Sequence, residues 1–92
     1  MSRVEPVEDL RGLMPFLEAP RVDAYLDDDT AARLVAFALS PGWSEYWAKR
    51  ALDWVDGGVM SDAVVEALKL VSQDKRFDQS TRHRAWRHVK HR

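Results

Sequence analysis

The stretch Lys49-Arg50-Ala51-Leu52-Asp53-Trp54-Val55 is echoed thirty-four residues later by His83-Arg84-Ala85-Trp86-Arg87-His88-Val89. A basic residue, an arginine, an alanine, three variable positions and a valine coincide. A fainter copy lies twenty-nine residues upstream, where Arg21, Tyr25 and Leu26 align with Arg50, Trp54 and Val55. A repeat of this period is the signature of helical hairpins, units that cannot bury their own apolar faces alone and stack into a continuous core. Three copies meet the usual minimum for such a stack.

Outward from that stretch, punctuation and periodicity divide the chain into helical pieces, and no segment shows clean two-residue alternation between hairpin turns. The reading is all-α, with six helices forming three stacked antiparallel hairpins. Val7, Leu10, Met14 and Leu17 recur at helical spacing after Pro6, and Pro15 should kink or split this first element. A short second helix is expected from Arg21 to Leu26. One of Asp27, Asp28 and Asp29 should cap a third helix from Thr30 to Leu39. Helix four runs from Trp43 to Asp56, and Gly57-Gly58 supplies a left-handed stop. Ser61 caps helix five, from Asp62 to Ser72. After a polar link, Ser80 caps helix six, from Thr81 to His91.

At 100° per residue, Trp43, Trp47 and Trp54 fall within about 40° of one another, and Ala48, Ala51, Leu52 and Val55 widen the apolar arc of helix four to roughly 180°. Helix five is similarly wide through Val64, Val65, Ala67, Leu68, Leu70 and Val71. Helix three has a single charge, Arg33, and is apolar almost all round. Helices of this kind pack on two sides, as the middle layers of a stack do.

On the strength of these hairpins the chain resembles HEAT-like α-helical repeats over about Thr30 to Val89. In that family the second helix of each pair carries an arginine near its start, with an aspartate six residues earlier. Asp78 and Arg84 match, whereas Ser44 stands before Arg50 and Pro15 before Arg21. The resemblance implies a short α-solenoid, or compact helical bundle, that binds rather than catalyses.

At ninety-two residues the chain has room for one domain, residues 1–92, with one modest core. The absence of cysteine excludes disulfides, thiolate nucleophiles and cysteine-ligated metals. The amino terminus lacks an apolar run long enough for a signal peptide or membrane span, so a cytoplasmic protein without membrane contact is expected. No cofactor is implied. Ser44 and Ser61 sit at cap positions with no histidine placed to activate them, and Asp27 to Asp29 are explained as a cap rather than a metal site, so an enzyme is not expected.

Charge is strongly polarised. The first seventy-four residues set seven cations against fourteen acids, a formal −7, and the last eighteen set seven cations against Asp78, a formal +6. Helix six, at about residues 80–91, should dock through a narrow stripe of Ala85, Trp86 and Val89. Its basic surface comprises His83, Arg84, Arg87, His88, Lys90 and His91, with Arg92 beyond it. A second candidate surface is the aromatic and arginine face of helix four: Trp43, Tyr46, Trp47, Arg50 and Trp54. These are the residue types that dominate protein interfaces, although tryptophans at this spacing equally suit a core.

The expectation is therefore a non-enzymatic protein-binding or adaptor module, its partner an acidic protein, with head-to-tail self-association as a further consequence of the charge separation. The alternative is a nucleic-acid-associated protein holding phosphate through Arg84, Arg87, Lys90 and Arg92, although no recognition motif for DNA or RNA is present. A small inhibitor or immunity-type protein is the third reading.

Overall fold

The computed structural model describes residues 10–40 and 42–90. It is all-helical, with α1 (Leu10–Leu13), α2 (Asp28–Ala38), α3 (Glu45–Asp56), α4 (Asp62–Gln73) and α5 (Gln79–Lys90). Two single-turn 3-10 segments, Met14–Glu18 and Arg21–Asp23, lie between α1 and α2. No strand occurs among the described residues.

Six helices were expected and five α-helices are found, because the proposed second helix is not one. After Pro20 the chain makes one 3-10 turn and then straightens, with Ala24 extended at φ −90° and ψ 129°. The Arg21 guanidinium donates to the carbonyls of Ala24 (3.3 Å) and Leu26 (2.9 Å) and to Asp28 Oδ1 (3.1 Å). It thereby satisfies carbonyls that a continuing helix would have paired with amides. Pro15 divides the first element as anticipated: the α-helix ends at Leu13, and a 3-10 turn begins at Met14 with Pro15 near its start. Val7 lies outside the described residues.

Asp27, Ser61 and Gly58 act where the sequence places them, whereas Ser44 holds its cap position without a side-chain bond. Asp27 Oδ1 accepts from the amide of Thr30 (3.0 Å), and Ser61 Oγ from that of Val64 (3.1 Å). Gly58 takes the left-handed conformation, φ +112°, after α3. The last helix starts at Gln79, one residue ahead of the expected Ser80 cap.

α2 is the hub. Ala31, Leu34 and Val35 are fully enclosed, Ala32, Ala38 and Leu39 nearly so, and α1, α3 and α4 all pack on it. α4 pairs extensively with α5, and α3 touches both the Met14–Glu18 turn and α5. Residues 28–56 and 62–90 thus form two helix pairs, first helix against first and second against second, while residues 10–23 form no helix pair, so two of the three expected hairpins are found among the described residues. α3 and α5 run in the same direction: Glu45, at the start of α3, bonds to Thr81, and Asp56, at its end, bonds to His88. With a radius of gyration of 13.1 Å, the molecule is as compact as a domain of this length should be.

Leu70 departs from the expected apolar arc: it is 59% exposed, while Val64, Leu68 and Val71 fill the core. Phe77, read as part of a polar link, is buried and plugs the α4–α5 connection. Leu34→Ala is expected to cost about 2–5 kcal/mol by loss of contacts and creation of a cavity. Leu70→Ala should stay within about 0.5 kcal/mol, apart from a small propensity gain. Urea midpoints at constant slope check both, and equal losses would contradict this assignment of core and surface.

Candidate protein-binding surfaces

Three sides of α3 have three different environments. Ala48, Ala51, Leu52 and Val55 are buried in the core. Trp54 is also enclosed, 1% exposed, and its indole N–H donates to the Ala19 carbonyl at 2.9 Å, which ties residues 14–23 to the helix. The Arg21 guanidinium covers the indole ring at 5.7 Å from its centroid. Trp54 therefore presents no binding surface; it forms part of the wall of a groove.

The other members of the aromatic face are graded. Trp43 and Trp47 are half-buried against the core, Trp43 meeting Phe37 edge-on at 5.3 Å and Trp47 meeting Tyr46 edge-on at 5.1 Å. Tyr46 is 49% exposed, and its hydroxyl donates to Glu18, which raises the phenol's pKa above the ordinary value. Arg50 spreads over the Tyr46 ring at 5.5 Å. Its Nη1 is 3.9 Å from Asp53, and its Nε is enclosed with no acceptor among the described residues.

Beside these side chains runs a groove of about 390 Å³, lined by residues 17–22 and by Arg50, Asp53, Trp54 and Gly57. A second depression of about 360 Å³ shares Arg21, Val22 and Gly57 with it and extends to Val59 and Met60. The groove joins apolar walls to two guanidinium groups.

The basic surface of α5 is divided between two roles. Arg84 and His88 face α3 and are half-buried. Arg84 Nη2 donates to Asp53 Oδ1 and to Asp56 Oδ2, both at 2.6 Å, and His88 Nε2 lies 2.6 Å from Asp56 Oδ1. Partial burial on its own would raise the Asp56 carboxyl, but the hydrogen bonds and charges of Arg84 and His88 outweigh it and hold the pKa below 3.8. The same pairing outweighs desolvation at Arg84 and raises its pKa. At the other end of the joint, Glu45 accepts from Thr81 Oγ1 (2.6 Å) and from the Asp78 amide (3.2 Å), bonds that lower its carboxyl below 4.5. Asp78 meets Lys49 at 3.9 Å rather than Arg84. Glu45, Lys49 and Asp53, at successive four-residue steps along α3, thus reach chiefly across to α5 and to Asp78 just before it.

His83, Arg87 and Lys90 remain exposed, with no hydrogen bond or ion pair among the described residues. His91 and Arg92 lie outside them. Trp86, expected in the docking stripe, is 48% exposed, while Ala85 is fully enclosed and Val89 half-buried. No group of three or more His, Cys, Asp or Glu side chains able to hold a metal ion occurs among the described residues, and no helix there is long and apolar enough to cross a membrane.

Compared with protein-family models, curated proteins and solved structures, the chain matches none.

Carboxylates with depressed pKa values stabilise the folded state above their unfolded values and lose that contribution as pH falls through the folded ones. Asp56 and Glu45 are of this kind, and Asp74, bonded by Arg76, is lowered furthest, to about 2. Stability should therefore be flat from pH 7 to about 5 and decline from there toward pH 2. Asp56→Asn should cost about 1 kcal/mol at pH 7, a figure discounted for solvent screening, and flatten part of the acid limb. Urea denaturation of both proteins across pH 3–7 checks the sign; a variant that keeps the full acid dependence removes Asp56 from the account.

Proposed function

We propose that this protein is a non-enzymatic, cytoplasmic protein-binding module. In this reading two stacked helix pairs and a partial first unit form a short HEAT-like solenoid. Tyr46, Arg50 and the adjoining groove hold an acidic segment of a partner, and the outer side of α5 offers a second contact. The parallel course of α3 and α5 supports the repeat, since the bonds between them span 28 to 36 residues, close to the thirty-four-residue echo.

One observation carries the binding reading. Arg50 stands at the groove with its side chain 40% exposed, next to a half-exposed tyrosine. A carboxylate from a partner would meet the exposed part of that guanidinium in a charge-assisted bond. Tyrosine and arginine beside an apolar groove have the composition of an interface centre.

A photoreactive phenylalanine analogue at position 46 should crosslink to a discrete protein in native extract, while the same group at position 62 should not. Arg50→Glu should reduce the position-46 yield by about tenfold or more, the effect of removing a hot-spot side chain, with the circular dichroism unchanged. Equal labelling from both positions, or a yield indifferent to Arg50, would reject this face as the binding surface.

A further inference from the structure

The joint between α3 and α5 shows how one unit of this chain accepts the next. Projected at 100° per residue, Glu45, Lys49, Asp53 and Asp56 occupy a face of α3 about 80° wide. It receives Thr81, Arg84 and His88, which share a face of α5 about 60° wide, through the bonds described above. Acids lie on the forward side of one helix and cations on the rear side of the following one.

The thirty-four-residue offset carries those forward positions to Gln79, His83, Arg87 and Lys90 of α5. All four are exposed, and half-exposed Trp86 borders them. This is the side that would accept a further unit, and the described chain supplies none. At the other end the offset defines no helix face, because the chain after Asp23 is extended and Arg21 turns inward onto the Trp54 ring; what lies open there is the segment around Tyr25. Tyr25 is 98% exposed and its neighbour Val22 is 90% exposed. The stack thus ends in an uncovered tyrosine and an uncovered tryptophan.

The two ends are also opposite in charge. Residues 18–29 contain five acids and Arg21, a formal −4; residues 79–90 contain four cations and no acid, a formal +4. We infer that the chain docks head to tail on a second copy of itself, the Tyr25 end of one molecule resting on the Trp86, Arg87 and Lys90 side of α5 in another. The contact repeats the logic of the internal joint with the signs exchanged. It rests on the stacked-unit part of the reading above and not on the Arg50 groove.

A single nucleic-acid strand suits this surface less well. One exposed aromatic among cations is a stacking platform in miniature. The neighbouring helices, however, carry exposed acids, Asp53 and Asp56 on α3 and Asp62 and Glu66 on α4. A heterologous contact grows without closing unless its rotation closes a ring.

Sedimentation velocity of the full chain tests the proposal. In low salt the weight-average mass should rise with concentration above 10.6 kDa, and about 0.5 M salt should return it to that value. A tail-blocked variant, W86A with R87E, and a head-blocked variant, D23K with Y25A, should each remain monomeric. An equimolar mixture should form a dimer and nothing larger, because only one intact head and one intact tail can meet. All four substitutions fall on exposed side chains, so circular dichroism should match the parent.

A parent chain monomeric at every concentration in low salt overturns the inference. So does assembly that survives in either variant, or a mixture that stays monomeric. Anisotropy titration with single-stranded RNA completes the test: binding at near-physiological salt that is lost in the tail-blocked variant and kept in the head-blocked one would assign the α5 face to nucleic acid instead. Crosslinking from position 46 should persist in both variants, so failure here leaves the Arg50 reading standing.

Discussion

α2 needs cover around most of its circumference, and its exposed residues are Asp28, Asp29 and Arg33. Its only cation is Arg33, and its remaining length places Ala31, Ala32, Leu34, Val35 and Ala38 in the core, with Leu39 just beyond its end. Burial of Leu34, Val35 and Leu39 is worth about 1.5–3 kcal/mol each, a large part of the net stability of a small domain. Alanines at 31, 32 and 38 let neighbouring helices approach closely. α1, α3 and α4 therefore converge on α2, and their mutual arrangement follows from sharing it. α5 reaches the molecule chiefly through α4, and next through α3.

That indirect attachment explains the division of charge on α5. Its fully buried residues are Thr81 and Ala85, too little apolar surface to hold a helix by itself. α4 supplies most of the packing, and the acids of α3 supply the rest through Thr81, Arg84 and His88. Solvent-accessible ion pairs contribute only about 0.2–1 kcal/mol each, so the joint does more to fix direction and register than to add stability. Glu45 at one end of α3 and Asp56 at the other permit one parallel alignment. Asp53 and Asp56 sit in the last turn of α3, where a helix dipole disfavours anions, and Arg84 and His88 offset that cost.

Local chemistry made much of this legible in the sequence. Asp27, Ser61 and Gly58 act through groups one to three residues away, and they place the boundaries of α2, α3 and α4 within about two residues. The apolar arcs of α2, α3 and α4 follow from periodicity in the same way. The errors arise where the deciding partner is distant in sequence. Residues 21–26 look helical until the Arg21 side chain captures the carbonyls of Ala24 and Leu26. Arg84 and His88 look like free cations until α3 brings Asp53 and Asp56 beside them. Trp86 looks like core because a tryptophan usually is. Leu70 and Phe77 exchange their expected roles for a related reason: an apolar residue shows whether it can be buried, and its neighbours decide whether it is. The Arg50 groove had only a partial signal, since its helix face was visible but its opposite wall, residues 17–22, was read as helix ends.

Equivalent positions in the two strong copies of the echo separate repeat from boundary. Ala51 and Ala85 are both fully enclosed, as a position at the closest approach of helices requires. Val55 is buried and Val89 half-buried. Trp54 and His88 both point their ring nitrogens backward, to Ala19 and to Asp56 respectively. Leu52 and Trp86 diverge most, one fully enclosed and the other 48% exposed. α3 has neighbours on both flanks, and α5 has one on its rear side only. The larger and more apolar residue thus occupies the less covered site, the reverse of what burial would select for an isolated helix. Trp86 is thus a large side chain left half-exposed among the exposed His83, Arg87 and Lys90.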